Sequence, residues 1–468
     1  MRPPTKKTIF RIALGLAALI AATGVLCLDG LDHQPYFQSA YYTETTARLR
    51  EREATNTLSR GELGAGFGRA LLTPTINAAQ DDAAQGRFRA VPLAGFGNRK
   101  GRPATGVHDD LQVKAVALRV GDKLGVMVGA DALIVPRPVA EAALQRLGEE
   151  LGLRREQVYL SATHTHCGPG GWGEGRVAEA FAGPFNPGAQ TWFADRIVAA
   201  VREAVADLRP AALGHGHFAA PEFVRNRLVG ALGKVDPEFS FVVLRQSPGR
   251  TAVLGSYSAH ATVLSSGTME FSGDYPGSWQ RAVEEATGGT ALFLAGGVGS
   301  HSPVAGEKGF AGVEKMGRAL AQRLLEVLPR TPLTNFVAFG TAGLEVTLPS
   351  LHVRVSDGVR MRPWLAGKLL PVAERSYLQV FRVGDAVWIS TPCDFSGELA
   401  LGIKDLLRAR GFNGVVTSFN GDYLGYVIPA RYYHLSGYEP RLMSFCGPNL
   451  PDYFDELMWA MALSLAAR

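Results

Sequence analysis

The amino-acid sequence predicts a mixed fold of the α+β or mixed-sheet α/β class, packed in layers within one large domain. Three observations carry this expectation. Apolar runs joined by hairpin turns are interspersed with segments of helical periodicity, which fits neither an all-helical bundle nor an all-strand sandwich. Of the 468 residues, 46% are hydrophobic, enough to bury a sizeable core. From Gly66 onward no Ser/Pro-rich linker and no internal repeat interrupts the pattern.

The elements follow in chain order. Residues 29–60 read as a polar stretch of helical character, and Gly61-Glu62-Leu63-Gly64 breaks it, so the main domain is expected to span 61–468. The runs Leu111–Val120 and Leu124–Val128, joined by Gly121-Asp122-Lys123, form a hairpin signal. A helix should start near Pro138, a good first-turn residue, and stop after Leu151 at Gly152. Val158–Ala162 reads as a short buried strand running into Thr163-His164-Thr165-His166 and the loop Cys167-Gly168-Pro169-Gly170-Gly171. Phe193, Ile197, Val198, Val201 and Val205 lie at helical spacing and predict a helix over 191–208. Strands are expected at Phe239–Leu244, Ala252–Ala259 and Thr290–Ala295, and helices near Gly277–Ala286 and Glu314–Val327. A second hairpin, Leu378–Ser390 around Gly384-Asp385, ends at Pro392-Cys393-Asp394.

The N-terminus carries a targeting signal. Arg2, Lys6, Lys7 and Arg11 precede an uncharged run from Ile12 to Leu28 that ends at Asp29 and Asp32. Residues 1–28 fit a secretory signal or a single-span membrane anchor; the length of the run and the lack of a clean A-x-A cleavage site favour the anchor. Residues 29–60 would then be juxtamembrane. Either way the basic flank stays in the cytoplasm and the remainder is exported, to the periplasm or the cell exterior. The net charge of +5 and pI near 9.0 rest largely on those first basic residues. No Lys/Arg stripe remains to neutralise phosphates, so nucleic acid is not an expected partner, and no protein partner is expected. Four cysteines are too few for a disulfide scaffold. Cys27 belongs to the apolar run, and one disulfide plus one free thiol among Cys167, Cys393 and Cys446 is the simplest expectation.

Side chains alternate across a strand, so His164 and His166, at the end of one, should face one pocket. An H-x-H pair alone serves a core as readily as a site, but the glycine-rich turn behind it favours a site, because functional loops are commonly held on rigid strand ends. A zinc centre needs three or more ligands from His, Cys, Asp or Glu, and a catalytic one keeps a position open. His260, ending the run Val253–Ala259, and Asp394, following Ala386–Ser390, occupy equivalent strand ends. Competing chemistries fit less well. There is no G-x-S-x-G elbow, and the glycines between Gly61 and Gly68 do not follow a strand in G-x-G-x-x-G form. The Asp-His that a metallo-β-lactamase-like site needs is absent downstream of His166. The H-x-H of barrel amidohydrolases lies on the first barrel strand, whereas here over a hundred exported residues precede it.

The segment Ser161-Ala162-Thr163-His164-Thr165-His166-Cys167-Gly168-Pro169-Gly170-Gly171 resembles the signature loop of the neutral/alkaline non-lysosomal ceramidases, with Cys167 where that family usually has serine. Further blocks agree in order. Gly66–Pro74 is similar to the family's opening strand, and Gly106–Leu111 to the segment before its first long hairpin. Asn226-Arg227 resembles its N-R-S-P block, from which Leu228 and Val229 depart. Ser258–Thr262 and Gly273–Gly277 resemble its central histidine block, and Gly299–Pro303 its G-D-V-S-P, with Ser302 at the serine position. Asn420–Val427 and Gly437–Glu439 resemble its tyrosine-rich block.

The resemblance implies a layered catalytic domain of the neutral ceramidase type over 61–468. The C-terminal β-sandwich that many members carry is not expected, since the sequence stops at Arg468 soon after the tyrosine block. It implies Zn2+ held by His164, His260, Asp394 and Tyr426, with the family's glutamate replaced by the shorter Asp394. His166, Arg227 and Tyr438 would surround the substrate amide. Ser302 would be beside it, either as nucleophile or, as favoured here, as a hydrogen-bond anchor for a substrate hydroxyl. The implied function is a zinc-dependent amidohydrolase that cleaves the N-acyl amide of ceramide or a related lipid at a membrane surface. Two alternatives stay open: an inactive metal-containing lipid-binding protein, suggested by Asp394 and the altered serine block, and a metal hydrolase of a non-ceramide amide or ester.

Overall fold

The computed structural model describes residues 5–370 and 372–466; Arg2, counted above with the basic flank, lies outside them. Strand β1 (Ser59–Leu71) is the hub of a 12-stranded sheet. The other strands, in chain order, are β2 (Gln112–Val120), β3 (Lys123–Ala130), β4 (Val158–Ala162), β5 (Arg209–Ala219), β6 (Glu238–Gln246), β7 (Thr251–Tyr257), β8 (Thr290–Ala295), β9 (Phe336–Thr347), β10 (Arg375–Val383), β11 (Ala386–Ser390) and β12 (Asn413–Thr417). The path runs β8-β7-β6-β5-β1-β9-β10-β11-β12, with β2, β3 and β4 branching from β1. Most pairs are antiparallel; β3–β4, β7–β8 and β11–β12 are parallel. The expected mixed-sheet class is observed.

The sheet folds over so that its wings face each other. Phe67, Val116, Tyr159, Leu254, Phe381 and Trp388 from different wings meet in one buried cluster. The approach is tight: a Cβ on Gly129 of β3 would come within 2.9 Å of Leu294 of β8. Helices cover the outer faces. After α1 (Lys6–Cys27) and α2 (Ala40–Thr55) come α3 (Arg137–Leu151), α4 (Arg176–Ala182), α5 (Pro187–Ala206), α6 (Asp274–Thr287), α7 (Gly309–Val327), α8 (Pro363–Leu369), α9 (Gly397–Arg408) and α10 (Leu450–Ala466). Helices α3 and α5 pack on the β2–β4 wing, α6 and α7 on β6–β8, and α9 and α10 on β10–β12. Gly152 closes α3 in the left-handed conformation (φ 66°), as glycine after a helix does. Gly66 and Gly68 let α5 lie against β1, since a Cβ on either would sit 2.1 Å from the Ala204 or Ala200 carbonyl oxygen.

Two expectations need correction. Gly61–Gly64 is not a break: it lies inside β1, where Phe336–Phe339 of β9 pairs with Ser59–Glu62. Glycine's low strand propensity is outweighed there by pairing on both edges. The stretch 29–60 has the expected helical character in α2 and packs on the domain, where Tyr36 and Tyr42 each donate a 2.7 Å hydrogen bond to Glu456 of α10. Finally, all four cysteines are free. Cys393 and Cys446 share one apolar cluster, Cys167 packs in another, and burial pushes the Cys167 thiol up to about 12.

Candidate metal centre

Strands β4, β7 and β11 deliver their C-terminal ends to one place. His164 and His166 follow β4, His260 follows β7, and Asp394 follows β11 on the short strand Asp394–Phe395, which pairs parallel with Tyr426–Val427. The three Nε2 atoms converge: His164 to His260 2.9 Å, His166 to His260 3.1 Å and His166 to His164 3.4 Å. The Asp394 Oδ1 atom is 3.4 Å from His164 Nε2. The two histidines of the H-x-H pair do not meet by strand alternation, since both lie past the end of β4. A turn aims them, with His164 at φ 63°, a left-handed conformation uncommon outside glycine and kept where surrounding contacts enforce it. Here the ring stacks on Phe419 at 4.1 Å, and Nδ1 is 2.6 Å from the Leu133 carbonyl oxygen.

Those carbonyl contacts decide the tautomers. A carbonyl only accepts, so His164 Nδ1 carries its proton to Leu133, and His260 Nδ1 carries its proton to Val298 (3.3 Å). Both Nε2 atoms are then bare lone pairs facing each other, beside an Asp394 Oδ1 that is buried without a hydrogen-bond partner. His166 Nε2, 3.1 Å from His260 Nε2 and 3.4 Å from His164 Nε2, has one proton at most to donate when neutral, so acceptors remain unsatisfied, and a cation would satisfy all of them. Residues His164, His260 and Asp394 therefore fit a metal ion, and the carbonyls behind the histidines orient them as outer partners of metal ligands do. His166 belongs to the same cluster, and the three histidines together could hold an ion; its Nδ1 has no partner and its ring packs on Phe96 at 4.6 Å. Burial, reinforced by His164, Arg99 and Arg227, holds its pKa well below the ordinary histidine range, so it is neutral at pH 7.

Tyr426 lies beside Asp394 in the paired strands, and its hydroxyl accepts a 3.2 Å hydrogen bond from Arg227, which also pairs with Glu439 at 2.9 Å. Burial and the neighbouring Asp394 raise the Tyr426 pKa well above normal; a cation at the cluster would oppose that. Tyr438 is at the rim, its ring 5.8 Å from that of Tyr426 and its hydroxyl pushed up to about 12, chiefly by burial. A cavity of about 210 Å³ opens onto the cluster, lined by His164, His166, Asp394, Tyr423, Tyr426 and Tyr438 on its polar side. Its apolar wall includes Leu133, Ile134, Trp172, Val177, Phe181 and Phe445. Ser302 is outside this lining, on the short strand His301–Pro303 paired with Val224–Asn226. Its neighbour His301 is committed elsewhere: Nε2 accepts from the Asp236 backbone N–H at 2.9 Å, and Nδ1 bonds Ser300 Oγ at 2.7 Å. His301 is thus no base for Ser302.

Several contributors were not singled out from the sequence. Tyr423 donates 2.8 Å to Asp394 Oδ2, which leaves Oδ1 aimed at the histidines. It sits in the same tyrosine block as Tyr426, which was the signal available. Arg99 is buried and donates to the carbonyls of Ala94, His166, Ser265, Ser266 and Thr268, so it fixes the His166 loop. No motif marks it. Gly95, at φ 120°, passes so close to His166 that a Cβ would lie 2.6 Å from its ring. Gly95→Ala should displace His166 and lower turnover about 10- to 100-fold, while metal content stays near that of the parent. Loss of metal as well would show that His166 is not separable from the ligands.

The family model described as "Neutral/alkaline non-lysosomal ceramidase, N-terminal" matches residues 78–300, a span containing His164, His166, Arg227 and His260. The neutral ceramidase of Mycobacterium tuberculosis is 28% identical over 228 residues, 44% of this chain and 34% of that protein. The neutral ceramidase of Pseudomonas aeruginosa is 27% identical over 161 residues, 31% of this chain and 24% of that protein. The chain thus matches about a third or less of the length of these relatives. Among solved structures, the P. aeruginosa neutral ceramidase superposes with a TM-score of 0.72 at 19% identity, covering 87% of this chain and 75% of that one. A ceramidase complexed with C2 gives 0.74 at 19% identity, with 87% and 76% covered. The fold is shared with both solved structures, and the family model covers the segment that carries His164, His166 and His260.

Proposed function

We propose that the protein is a zinc-dependent amidohydrolase that cleaves the N-acyl amide of ceramide or a closely related N-acyl lipid, releasing a fatty acid and a sphingoid base or amine. The observation that carries this reading is the convergence of imidazole nitrogens beside an unpaired carboxylate oxygen at one end of a mostly apolar cavity. Imidazole, carboxylate and phenol donors suit zinc, and His164, His260, Asp394 and Tyr426 are the residues assigned to hold it. When bound, zinc supplies Lewis acidity, polarising an amide carbonyl and making water acidic enough to attack near neutral pH.

The chain's own groups do the rest. The cavity's apolar wall takes an acyl chain and sets the amide against the polar end. His166, neutral and with Nε2 facing the cluster, takes the proton of the attacking water and passes it to the departing nitrogen. Arg227 and Tyr438 are the donors for the oxygen that gains charge at the tetrahedral stage. Arg227 is held in place by Glu439. The apolar helix α1, 22 residues and long enough to cross a membrane, is read as an anchor that keeps the domain beside its lipid substrates, outside the cytoplasm.

The test is fatty-acid release from N-acylsphingosine by the zinc-loaded full chain and by His164→Ala. Turnover by the parent with a loss of more than about a hundredfold in the variant is expected. Equal turnover by the two would remove the mechanism.

A further inference from the structure

Helix α1 is tied to the domain at its exit. The Arg362 backbone N–H donates to the Cys27 carbonyl oxygen at 2.8 Å, its Nε to those of Val25 (2.9 Å) and Leu28 (3.1 Å), and Trp364 Nε1 to that of Leu26 (3.3 Å). Leu28–Gly30 then pairs antiparallel with Val359–Met361. Whatever surface α1 enters, the 359–369 segment lies at it.

That segment and its neighbour present apolar side chains to the outside. Trp364 is 53% exposed, Leu369 47% and Val355 53%, and on the adjoining segment Leu435 is 40% and Leu442 62% exposed. The two segments are braced together: Arg354 donates to the carbonyl oxygens of Leu435 (3.2 Å) and Pro440 (2.8 Å), and Arg441 pairs with Asp357 at 3.0 Å. Single exposed apolar residues are ordinary, but a collar of them at the exit of an apolar helix is not. The collar also borders the cavity, because Val372, Tyr438 and Met443 line it. Lys368 lies 5.1 Å over the Trp364 ring. An indole and a lysine side by side, one immersing a ring and the other reaching headgroup phosphates, suit the interfacial zone of a bilayer.

We propose that this collar is a membrane-contact face that seats the domain on the outer surface of the bilayer entered by α1, so that the cavity mouth opens onto lipid. The proposal rests on the reading of α1 as a membrane span and of the cavity as a lipid site. The anchor confines the domain to the membrane; the collar fixes which way it faces. A lipid substrate then passes from the leaflet to the cavity without exposing its chain to water.

The test uses the full chain reconstituted in phosphatidylcholine vesicles. An environment-sensitive fluorophore is attached at Trp364→Cys, at Leu442→Cys or, as control, at Phe336→Cys. All are made in a Cys27→Ser background, the other three cysteines being buried. Phe336 starts β9, and the register through β10 puts it at the sheet end opposite Asp394. Spin-labelled lipid is expected to quench the labels at 364 and 442 by about half or more, and the control little. Equal quenching at all three positions overturns the proposal. So does shielding at 442 that ignores spin-labelled lipid and follows protein density, which would assign the face to a second copy of the chain. A second arm measures turnover: Trp364→Glu with Leu442→Glu should lower hydrolysis of vesicle-borne N-acylsphingosine about tenfold and leave a soluble short-chain amide unchanged. Equal loss on both substrates counts against the collar. If the parent turns over neither, the functional reading fails, and the quenching result still decides the membrane face.

Discussion

Asp394→Asn should leave the fold intact and lower both metal affinity and amide turnover by at least about a hundredfold. The carboxylate holds Tyr423 with one oxygen and directs the other, unpaired, at His164. With the asparagine carbonyl kept on the Tyr423 hydroxyl, the amide NH2 replaces Oδ1 and points at bare Nε2 lone pairs. It donates to them and satisfies without metal the conflict that a cation otherwise resolves. The metal-free variant should therefore unfold at the same or higher denaturant concentration than the metal-free parent, the opposite of what damage to the core produces. Metal titration by calorimetry and urea unfolding of both metal-free proteins check the two halves separately. Undiminished affinity in Asp394→Asn would exclude the carboxylate as a ligand.

The second large effect concerns stability. Lys404 and Asp236 form a buried ion pair at 2.8 Å, neither residue lining the cavity. The same carboxylate oxygen accepts from Ser258 Oγ at 2.6 Å, Ser258 accepts from the Gly297 N–H at 3.1 Å, and the Asp236 backbone N–H bonds His301. This network fixes the loop between Ser258 and His260 against the one that precedes Ser302. Lys404→Met keeps the volume but strands a buried charge, which costs about 3–5 kcal/mol. The double variant Lys404→Met/Asp236→Asn removes the charge as well and should recover most of the loss. Urea midpoints of the parent, the single and the double variant measure this, and a single variant as stable as the parent would mean that the pair is not coupled to the fold.

Much of the architecture was legible because it is written in local pattern. The hairpin around Gly121-Asp122-Lys123, the helix stopped at Gly152 and the strand before His164 all follow from spacing and turn chemistry, and each is found within a few residues of its expected place. The site was legible for a different reason. His164, His260 and Asp394 each sit just past a strand, and the wings of the sheet fold so that these three strand ends meet, so a sequence rule about strand ends became a spatial one. What escaped is what depends on distant partners. The glycines at 61 and 64 look like a break until both edges of β1 are paired. Tyr36 and Tyr42 gain meaning only from Glu456, at the far end of the chain. Arg99 acts through five carbonyls on loops that no local pattern brings together, and the aim of His164 depends on a left-handed turn that a β-strand rule cannot anticipate.

Carbonyls fix the tautomers of His164 and His260, and no partner fixes that of His166 at Nδ1.

Anomalous scattering recorded across the zinc absorption edge, from crystals of the zinc-loaded full chain, tests the metal centre most directly. One strong peak should lie among His164 Nε2, His260 Nε2 and Asp394 Oδ1, at ligand distances of about 2.0–2.2 Å. A cluster that stays free of anomalous signal, with water bridging the histidines, would contradict it.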